Sequence, residues 1–313
     1  MDGTEGDPFL IETADQLNNV RNYVDRHFQQ IDDIDWNDFG GESLEPIGDA
    51  DGPFVGKYDG NDFKVSNLEV SYSAFNMELF GSLGVGATQV KDFELEDVTV
   101  NGSNNSVSVG WLAGENEGTI IGCYVTGEVR GLVSIGGLVG KNLEGAEIRK
   151  SNTEVSVFGI NQIVGLVGAN YSGASIIECF AIGSVKETQG TGANAGGLVG
   201  IIYGTLINSY ATGDVDGNDQ VRGLTGFLSG GQIENSYSIA KVPKEGDHLG
   251  GLIGVSFDGS IMASYWDTDS LEQEESAGGE GRTTLQMQAG TPGNYIKPEG
   301  TWESEENPEN LIF

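Results

Sequence analysis

The densest group of side chains that could bind a metal ion lies in one short turn. The stretch "GDVDGNDQ" places Asp214, Asp216 and Asp219 close together, and carboxylate oxygens at such spacing suit Ca²⁺. An EF-hand loop would need a glutamate at its last position, but Thr225 stands there, so an EF-hand is excluded. We therefore predict calcium as a candidate ligand of this turn, with a solvated acidic turn as the alternative.

The histidines offer no catalytic site. The chain has 2 histidines, His27 and His248, and contains neither an HExxH nor a GxSxG motif. A zinc-peptidase site is therefore excluded, and a Ser/His/Asp triad is not supported. The acidic segment "YWDTDS", with Asp267, Asp269 and nearby Glu272, is a second and weaker calcium candidate.

Aromatic side chains recur at one position of a repeated segment, directly after a cysteine or serine. If they point outward, they form a stripe for a sugar or a partner protein, because rings offer apolar area at low entropy cost. The alternative is a ladder of stacked rings that stabilises a sheet. The aromatic residues of this candidate face are Tyr124, Phe180, Tyr210, Tyr237 and Tyr265.

Glycine-rich boxes also recur, and they raise the question of a phosphate site. The box "GGLVG" begins at Gly136 and again at Gly196, with the near-copies "VGLVG", "RGLTG" and "GGLIG". A phosphate-binding loop occurs once, before a helix, and often carries GK[ST]; neither feature is present here. We therefore interpret the boxes as corners at which stacked backbones approach each other closely.

The boxes belong to an internal repeat. An apolar column recurs every 25 to 30 residues, and a second column, mostly cysteine or serine, follows three positions later. The units are rich in Val, Ile, Thr and Tyr, which favours short strands and one coil of a parallel β-solenoid per unit. Because the two columns are an odd number of residues apart, we predict a corner near Gly122. The apolar column consists of Val65, Val90, Ile120, Ile148, Ile176, Leu206, Ile233 and Ile261.

The predicted fold is therefore all-β: a parallel β-solenoid (β-helix) of about eight coils. The usual hand of parallel crossovers makes it right-handed. Cys123 and Cys179 fall two coils apart in the same column, which is too far for a disulfide, so we expect two buried free thiols.

The ends of the chain are expected to cap the solenoid, which would otherwise expose apolar faces and strand edges. Thr13 and Gln16 stand in capping-box positions before an amphipathic helix predicted over 14–28. The predicted division is an N-terminal cap over 1–50, the solenoid over 51–270, and a C-terminal cap with an acidic tail over 271–313.

In the C-terminal cap, a short helix capped by Thr283 or Thr284 is expected to close the last coil through Leu285 and Met287. The tail beyond it is acidic and contains proline, and we expect an extended strap. Its expected anchors are Trp302 and residues 311–313.

Charge restricts the partners. The chain has 48 Asp and Glu residues against 15 Lys and Arg, for a formal charge of −33. Such a surface repels nucleic acid and anionic membranes. No apolar run is long enough to cross a membrane, and the start lacks the pattern of a signal peptide. We expect no nucleic-acid partner, no membrane insertion, a salt-rich (halophilic) setting, and a mature or excised piece of a larger protein.

The boxes "GGLVG" and "GGLIG", each followed by a strand of the type "NSYATG", resemble the GLUG-motif repeat. The flanking segments "FVGKYDGNDFKVSNLEV" and "GRTTLQMQ" resemble the regions around such repeats, and the resemblance covers nearly the whole chain. The family implies large secreted or surface-anchored microbial proteins, including adhesins. Some immunoglobulin-A-specific metallopeptidases carry these repeats beside a separate catalytic domain. The resemblance implies a scaffold or binding role and no catalytic residues; the chain departs from it at "GWLAG", where Trp111 replaces a glycine.

We therefore predict a non-catalytic structural or binding module, not an enzyme, of an extracellular or cell-surface protein that is adhesin-like or filament-forming. Its expected partners are a surface glycan or protein in cell adhesion, or further copies of itself. The alternative is a carbohydrate-active β-helix enzyme, a polysaccharide lyase or glycosidase, that uses acidic residues with calcium. Arg130, Arg149 and Arg222 fall at unrelated repeat positions, so no lyase site can be assembled from them.

Overall fold

The structure is a computed structural model, and it describes residues 1–40, 45–70, 78–101, 107–131, 133–188, 195–217, 221–243, 249–271 and 273–288. Several predicted features fall outside these ranges. They are Asp219, His248, Glu272, Trp302 and the residues 311–313.

The described chain winds through four parallel sheets, called here sheets A, B, C and D in the order in which each coil visits them. Within the described residues, they contain 10, 13, 5 and 7 strands. Each strand pairs with the equivalent strand of the next coil, and the pairing is parallel between named strands throughout. The prediction of an all-β parallel β-solenoid is confirmed.

Sheets A and B form the first half of each coil. The strands of sheet A are Phe9–Ile11, His27–Gln30, Lys57–Asp59, Gln89–Lys91, Thr119–Ile121, Glu147–Arg149, Ser175–Ile177, Thr205–Ile207, Gln232–Glu234 and Ser260–Met262. The strands of sheet B are Ile34–Asp35, Lys64–Ser66, Glu69–Val70, Glu94–Asn101, Tyr124–Arg130, Asn152–Gly159, Phe180–Ala181, Val185–Glu187, Tyr210–Ala211, Val215–Asp216, Tyr237–Ser238, Tyr265–Asp267 and Glu280–Arg282.

Sheets C and D complete the coil. The strands of sheet C are Val107–Val109, Val133–Gly136, Asn161–Val164, Ala195–Gly196 and Val221–Arg222. The strands of sheet D are Phe80–Leu83, Ala113–Asn116, Val139–Asn142, Val167–Asn170, Val199–Ile202, Thr225–Ser229 and Ile253–Phe257. The helical segments are the α-helices Ala14–Asn19, Thr268–Leu271 and Thr284–Gln288 and the 3₁₀ turns Val20–Tyr23 and Trp36–Phe39.

The predicted apolar column is a true vertical stack in sheet A. Its members from Val90 to Ile261 pair in register from coil to coil. The first member is a correction: Val65 pairs with Leu95 in sheet B, whereas Tyr58 lies beside Val90 in sheet A. Tyr58 and Val65 are both fully buried. Because either residue type suits a core position, the sequence alone does not show which of the two belongs to the column. The solenoid accordingly has about seven turns, as sheet D shows with its 7 strands, rather than about eight.

The predicted corner near Gly122 is confirmed. One residue in each coil takes the left-handed conformation between sheets A and B, with φ of 63° at Gly122, 51° at Lys150, 52° at Asn208 and 49° at Asn235. The N–H of this residue donates to the next coil, as from Lys150 to the carbonyl of Ile177 at 3.0 Å. A single left-handed residue is enough to turn the strand, so the columns on both sides of it face the core.

The glycine boxes are close contacts between coils, as expected. A Cβ built on Gly137 would lie 2.1 Å from the carbonyl oxygen of Gly165, and one on Gly165 would lie 2.3 Å from that of Gly197. Gly197 and Gly223 repeat the relationship with the coil above. No side chain fits at these distances, so the boxes serve the stacking of the backbone.

The N-terminal helix is shorter than predicted. It covers Ala14–Asn19, with Thr13 accepting a hydrogen bond from the N–H of Gln16, and a 3₁₀ turn follows it. The rest of the predicted span includes the strand His27–Gln30, which pairs with Phe9–Ile11 and with the next strand of sheet A. Strand pairing at the sheet edge thus overrides the local helical spacing of apolar residues.

The C-terminal helix Thr284–Gln288 is confirmed, with Thr283 accepting a hydrogen bond from the N–H of Gln286 at 3.2 Å. Met287 is buried as expected, but Leu285 is 76% exposed, so only Met287 closes this end as predicted.

Candidate ligand-binding face

The predicted calcium turn lies at the end of sheet B. Asp214 and Asp216 are exposed, and the carboxylate of Asp216 lies 3.4 Å from the ammonium group of Lys186. Asp219 lies outside the described ranges. In the part of the chain that is described, no three His, Cys, Asp or Glu side chains form a group that could hold a metal ion. Calcium binding at this turn therefore stays a prediction.

The second acidic segment is a structural cap. The carboxylate of Asp267 is buried and accepts hydrogen bonds from the N–H of Asp269, the N–H and hydroxyl of Ser270, and the hydroxyl of Thr284. Asp269 in turn accepts from the N–H of Thr284 at 3.0 Å. These bonds join the two C-terminal helices and occupy the oxygen lone pairs that a cation would need.

The three arginines do not meet. Arg130 in sheet B lies over the ring of Phe158, with its guanidinium carbon 4.1 Å from the ring centroid. Arg149 in sheet A pairs with Glu147. Arg222 in sheet C is buried, and burial lowers its pKa to about 10. His27 lies in a strand of sheet A rather than in the predicted helix. These residues give no common catalytic centre.

The predicted aromatic face is a stacked ladder on sheet B. The rings of Phe180 and Tyr210 lie 4.9 Å apart at an angle of 5°, and those of Tyr210 and Tyr237 lie 4.9 Å apart at 8°. Tyr210 is 2% exposed and Tyr265 is 7% exposed, with Arg282 over the Tyr265 ring. Of the two alternatives, the geometry matches the ladder of stacked rings, because these faces cover one another and present little area to solvent.

Tyr124, at the lower end of this row, is half-buried and faces acidic groups. Its hydroxyl donates a hydrogen bond to the carboxylate of Glu154 at 3.0 Å. Burial raises the pKa of Tyr124, and this bond to Glu154 raises it further.

A different row of aromatic and aliphatic side chains lies on the outer side of sheet D. Ala169, Ile201, Phe227 and Val255 pair in register on consecutive coils. Their sequence neighbours, such as Ile202 and Leu228, belong to the buried core, so alternation turns this row outward. Ala169 is only 6% exposed, whereas the other three members are partly exposed.

Three rings stand next to this row, two residues further along the strands. Tyr171 and Tyr203 are each 38% exposed, and their ring centroids are 5.8 Å apart. Phe257 is 60% exposed and lies 5.6 Å from the ring of Phe227. The seven aromatic and aliphatic residues of the two rows form the aromatic strip: Ala169, Tyr171, Ile201, Tyr203, Phe227, Val255 and Phe257.

The aromatic strip carries no charge. The four strands that hold it read "VGAN", "VGII", "TGFLS" and "IGVSF", without an acidic or basic residue. On the two coils directly before Ala169 the same row is charged, because Glu115 and Lys141 form an ion pair at 2.9 Å. An uncharged surface over four coils stands out on a chain with a formal charge of −33.

Sequence reasoning missed this face, although a signal was present. Tyr171 and Tyr203 each follow the last glycine of a box by three residues, after Gly168 and Gly200. The aromatic column of sheet B is more regular in the sequence, but regular spacing indicates position on successive coils and not exposure.

The thiols are buried as predicted. Cys123 and Cys179 are free, and burial raises the pKa of each to about 12. Across the described chain, no helix is long and apolar enough to cross a membrane.

Parts of this chain are similar to two curated proteins. A stretch of 165 residues, 49% of the chain, is 36% identical to Halomucin from Haloquadratum walsbyi and covers 2% of that protein. A stretch of 127 residues, 38% of the chain, is 39% identical to a protein of Evansella cellulosilytica that is provisionally named a Gly-rich membrane protein, and it covers 14% of that protein. The chain thus corresponds to a small part of both relatives. No family model matches it.

Solved structures share the fold. A protein from Bacteroides ovatus, provisionally named an immunoglobulin A1 protease, superposes with a TM-score of 0.66 over 92% of this chain and 87% of its own, at 21% identity. A structure named IgA1 Protease superposes with a TM-score of 0.61 over 88% of this chain and 23% of its own, at 18% identity. At such identities the likeness shows the fold.

These neighbours correct the prediction that the chain is not an enzyme. Proteins with this fold carry the name of a protease, so the solenoid architecture does not argue against an enzyme. The prediction rested on the absence of known catalytic motifs from this chain. That absence is no guide to activity, because the same fold occurs in proteins named as enzymes.

Proposed function

We propose that this chain is a β-solenoid binding module of an extracellular or cell-surface protein and that it contacts its ligand through the aromatic strip. The strip is the observation that carries the proposal. Proteins in water rarely expose contiguous apolar surface without a use for it, and exposed rings are favoured where partners bind. The module would act as an adhesin-like scaffold, in which the stacked coils hold the strip on one face of sheet D.

The location at the cell surface is supported by the names of the similar proteins. One relative is named a Gly-rich membrane protein, and the structural neighbours are named for immunoglobulin A1, an extracellular antibody. Assignment of the repeat to the GLUG type is part of the same proposal, and its support is the series of glycine boxes and the strands that follow them.

The test is binding to an array that carries surface glycans and extracellular proteins, immunoglobulin A1 among them. The chain should bind at least one spotted ligand, and Tyr171→Ala with Tyr203→Ala should weaken that binding about tenfold or more. Tyr23→Ala is the matched control, because it removes another exposed tyrosine, 50% exposed, near the N terminus. The proposal fails if nothing binds or if the double variant binds as well as the unchanged chain.

A further inference from the structure

We infer that the aromatic strip binds an uncharged polysaccharide laid along the axis of the solenoid. This inference rests on the proposed function and names the ligand class for the same face. It is carried by the spacing of the rings, by the absence of charge in the strands that hold them, and by the small size of the strip.

The rings are arranged along the solenoid axis. Tyr171 and Tyr203 stand on consecutive coils with centroids 5.8 Å apart, and Phe227 and Phe257 stand on the next two coils with centroids 5.6 Å apart. Coils of a parallel solenoid are spaced by about 4.8 Å, so the four coils of the strip cover about 15 Å. A pyranose unit is about as long as the spacing of about 4.8 Å between coils, and its C–H faces pack on aromatic rings, whose faces are electron-rich.

Polar groups for sugar hydroxyls lie beside the rings. Among the described residues, the hydroxyls of Tyr171 and Tyr203 have no protein hydrogen-bond partner, so both are available to a ligand. Ser229 pairs with Phe257 and lies on the next coil after Tyr203, in the same row. A few polar groups among apolar area are typical of sites that orient a small neutral ligand.

Charge selects an uncharged ligand. The four strands of the strip contain no lysine or arginine to pair with a uronate or a sulfate. The formal charge of −33 also disfavours the approach of an anionic chain. The approach of an acidic polysaccharide is therefore unfavourable, and the four strands of the strip offer it no ion pair.

The size of the strip argues against a second copy of this chain as the occupant. A specific protein interface needs roughly 20–30 residues on each side. The strip offers seven, and two copies would bring two strongly negative surfaces together. A single polysaccharide chain needs a narrow face of this kind.

The experiment is affinity electrophoresis of the whole chain in gels that contain a β-glucan, a mannan, a xylan or the anionic polymer alginate. At least one uncharged polymer should retard the chain, and alginate should not. Tyr203→Ala should weaken the retardation about tenfold, whereas Tyr203→Phe keeps the ring and should stay within about threefold. Tyr23→Ala should behave as the unchanged chain.

The affinity for the polysaccharide at high salt gives a second test. At 1 M NaCl the Debye length is about 3 Å, so binding through ion pairs would be lost, whereas binding through the uncharged strip should change by less than about threefold. Unfolding in urea checks that each variant is folded. The inference is overturned if no uncharged polymer retards the chain, if alginate is preferred, or if Tyr203→Ala has no effect.

Two outcomes separate this inference from the proposed function. If the tyrosine variants lose binding to a spotted protein while no polysaccharide binds, the proposed function stands and the glycan inference is wrong. If sedimentation shows association between copies of the chain that Tyr203→Ala abolishes, and no polymer binds, the strip is an interface between copies and the inference is likewise overturned.

Discussion

The hydroxyl oxygen of Ser209 accepts a hydrogen bond from the backbone N–H of Cys179, 3.1 Å away on the preceding coil. The same hydroxyl donates to the carbonyl of Ile207 at 2.8 Å. Ser236 and Ser264 continue the chain of bonds, because each accepts from the residue at the same position one coil earlier. Serine hydroxyls thus connect successive coils beside these left-handed corners, in the buried interior.

Ser209→Ala should lower the free energy of unfolding by about 1–3 kcal/mol, because it leaves the buried N–H of Cys179 without a partner. Urea denaturation monitored by circular dichroism measures the change in the free energy of unfolding. Ser184→Ala is the control, since Ser184 is exposed and its hydroxyl, among the described residues, bonds only the hydroxyl of Ser156. Equal stability of the two variants would show that the serine column does not hold the coils together.

The two cysteines in this column make stability depend on alkaline pH. Burial raises the pKa of Cys123 and Cys179 from 9.0 to about 12. In the unfolded chain the thiols ionise above about pH 9, whereas the folded chain keeps them protonated, so the unfolded state binds fewer protons. Their contribution to stability is therefore full below pH 9 and is lost progressively between pH 9 and 12.

The test compares the unchanged chain with Cys123→Ser and Cys179→Ser combined, since serine occupies the same position in other coils. Between pH 9 and 12 the unchanged chain should lose up to about 1.4 kcal/mol per pH unit and per thiol more than the variant. Both thiols should resist iodoacetamide at pH 8 in the folded chain and react in urea. Parallel pH profiles for the two proteins would contradict the assignment.

Tyr210 and Tyr203 show how burial decides the role of an aromatic residue. Tyr210→Ala should cost about 3–5 kcal/mol of unfolding free energy, because the ring is buried between two others at 4.9 Å. Tyr203→Ala should cost less than about 0.5 kcal/mol, because the ring is 38% exposed. Thermal unfolding measures both. If Tyr203→Ala destabilised as strongly as Tyr210→Ala, the aromatic strip would be part of the structural framework and not a free face.

The sequence predicts which residues lie above one another on successive coils, because stacked coils require similar residue types at equivalent positions. The column from Val90 to Ile261 and the left-handed corner at Gly122 follow from that rule. The first coils could not be predicted in the same way. There Tyr58 and Val65 both fit the same position of the column, although only Tyr58 occupies it. Phe28 has the spacing of a helical apolar residue, yet it pairs in a strand.

The candidate site was harder to predict for a physical reason. Regular spacing indicates that residues lie above one another on successive coils, which is true of both aromatic rows, but only solvent exposure separates a structural ladder from a binding face. Exposure depends on what packs against each row, as the burial of Tyr265 beneath Arg282 shows. Arg282 lies outside the repeated segments, so the repeat pattern does not predict its contact with Tyr265.

The corners allow a last prediction, at Asn235. Its φ of 49° lies in the left-handed region, where a β-branched side chain is strained. Asn235→Val should therefore lower the free energy of unfolding by about 1–2 kcal/mol. Asn235→Gly should stay within about 0.5 kcal/mol, because glycine at the equivalent Gly122 takes the same conformation. Urea denaturation of both variants measures the difference.

Asn161→Val is the control for this pair, because Asn161 is exposed in a strand of sheet C, where valine is favoured. It should be neutral or slightly stabilising. If Asn235→Val were as stable as Asn161→Val, the left-handed corner would not be the point at which the chain turns from sheet A to sheet B. The residues on both sides of Asn235 face the core, which we attribute to the one left-handed residue between them. With Asn235→Val as stable as the control, that orientation would need another cause.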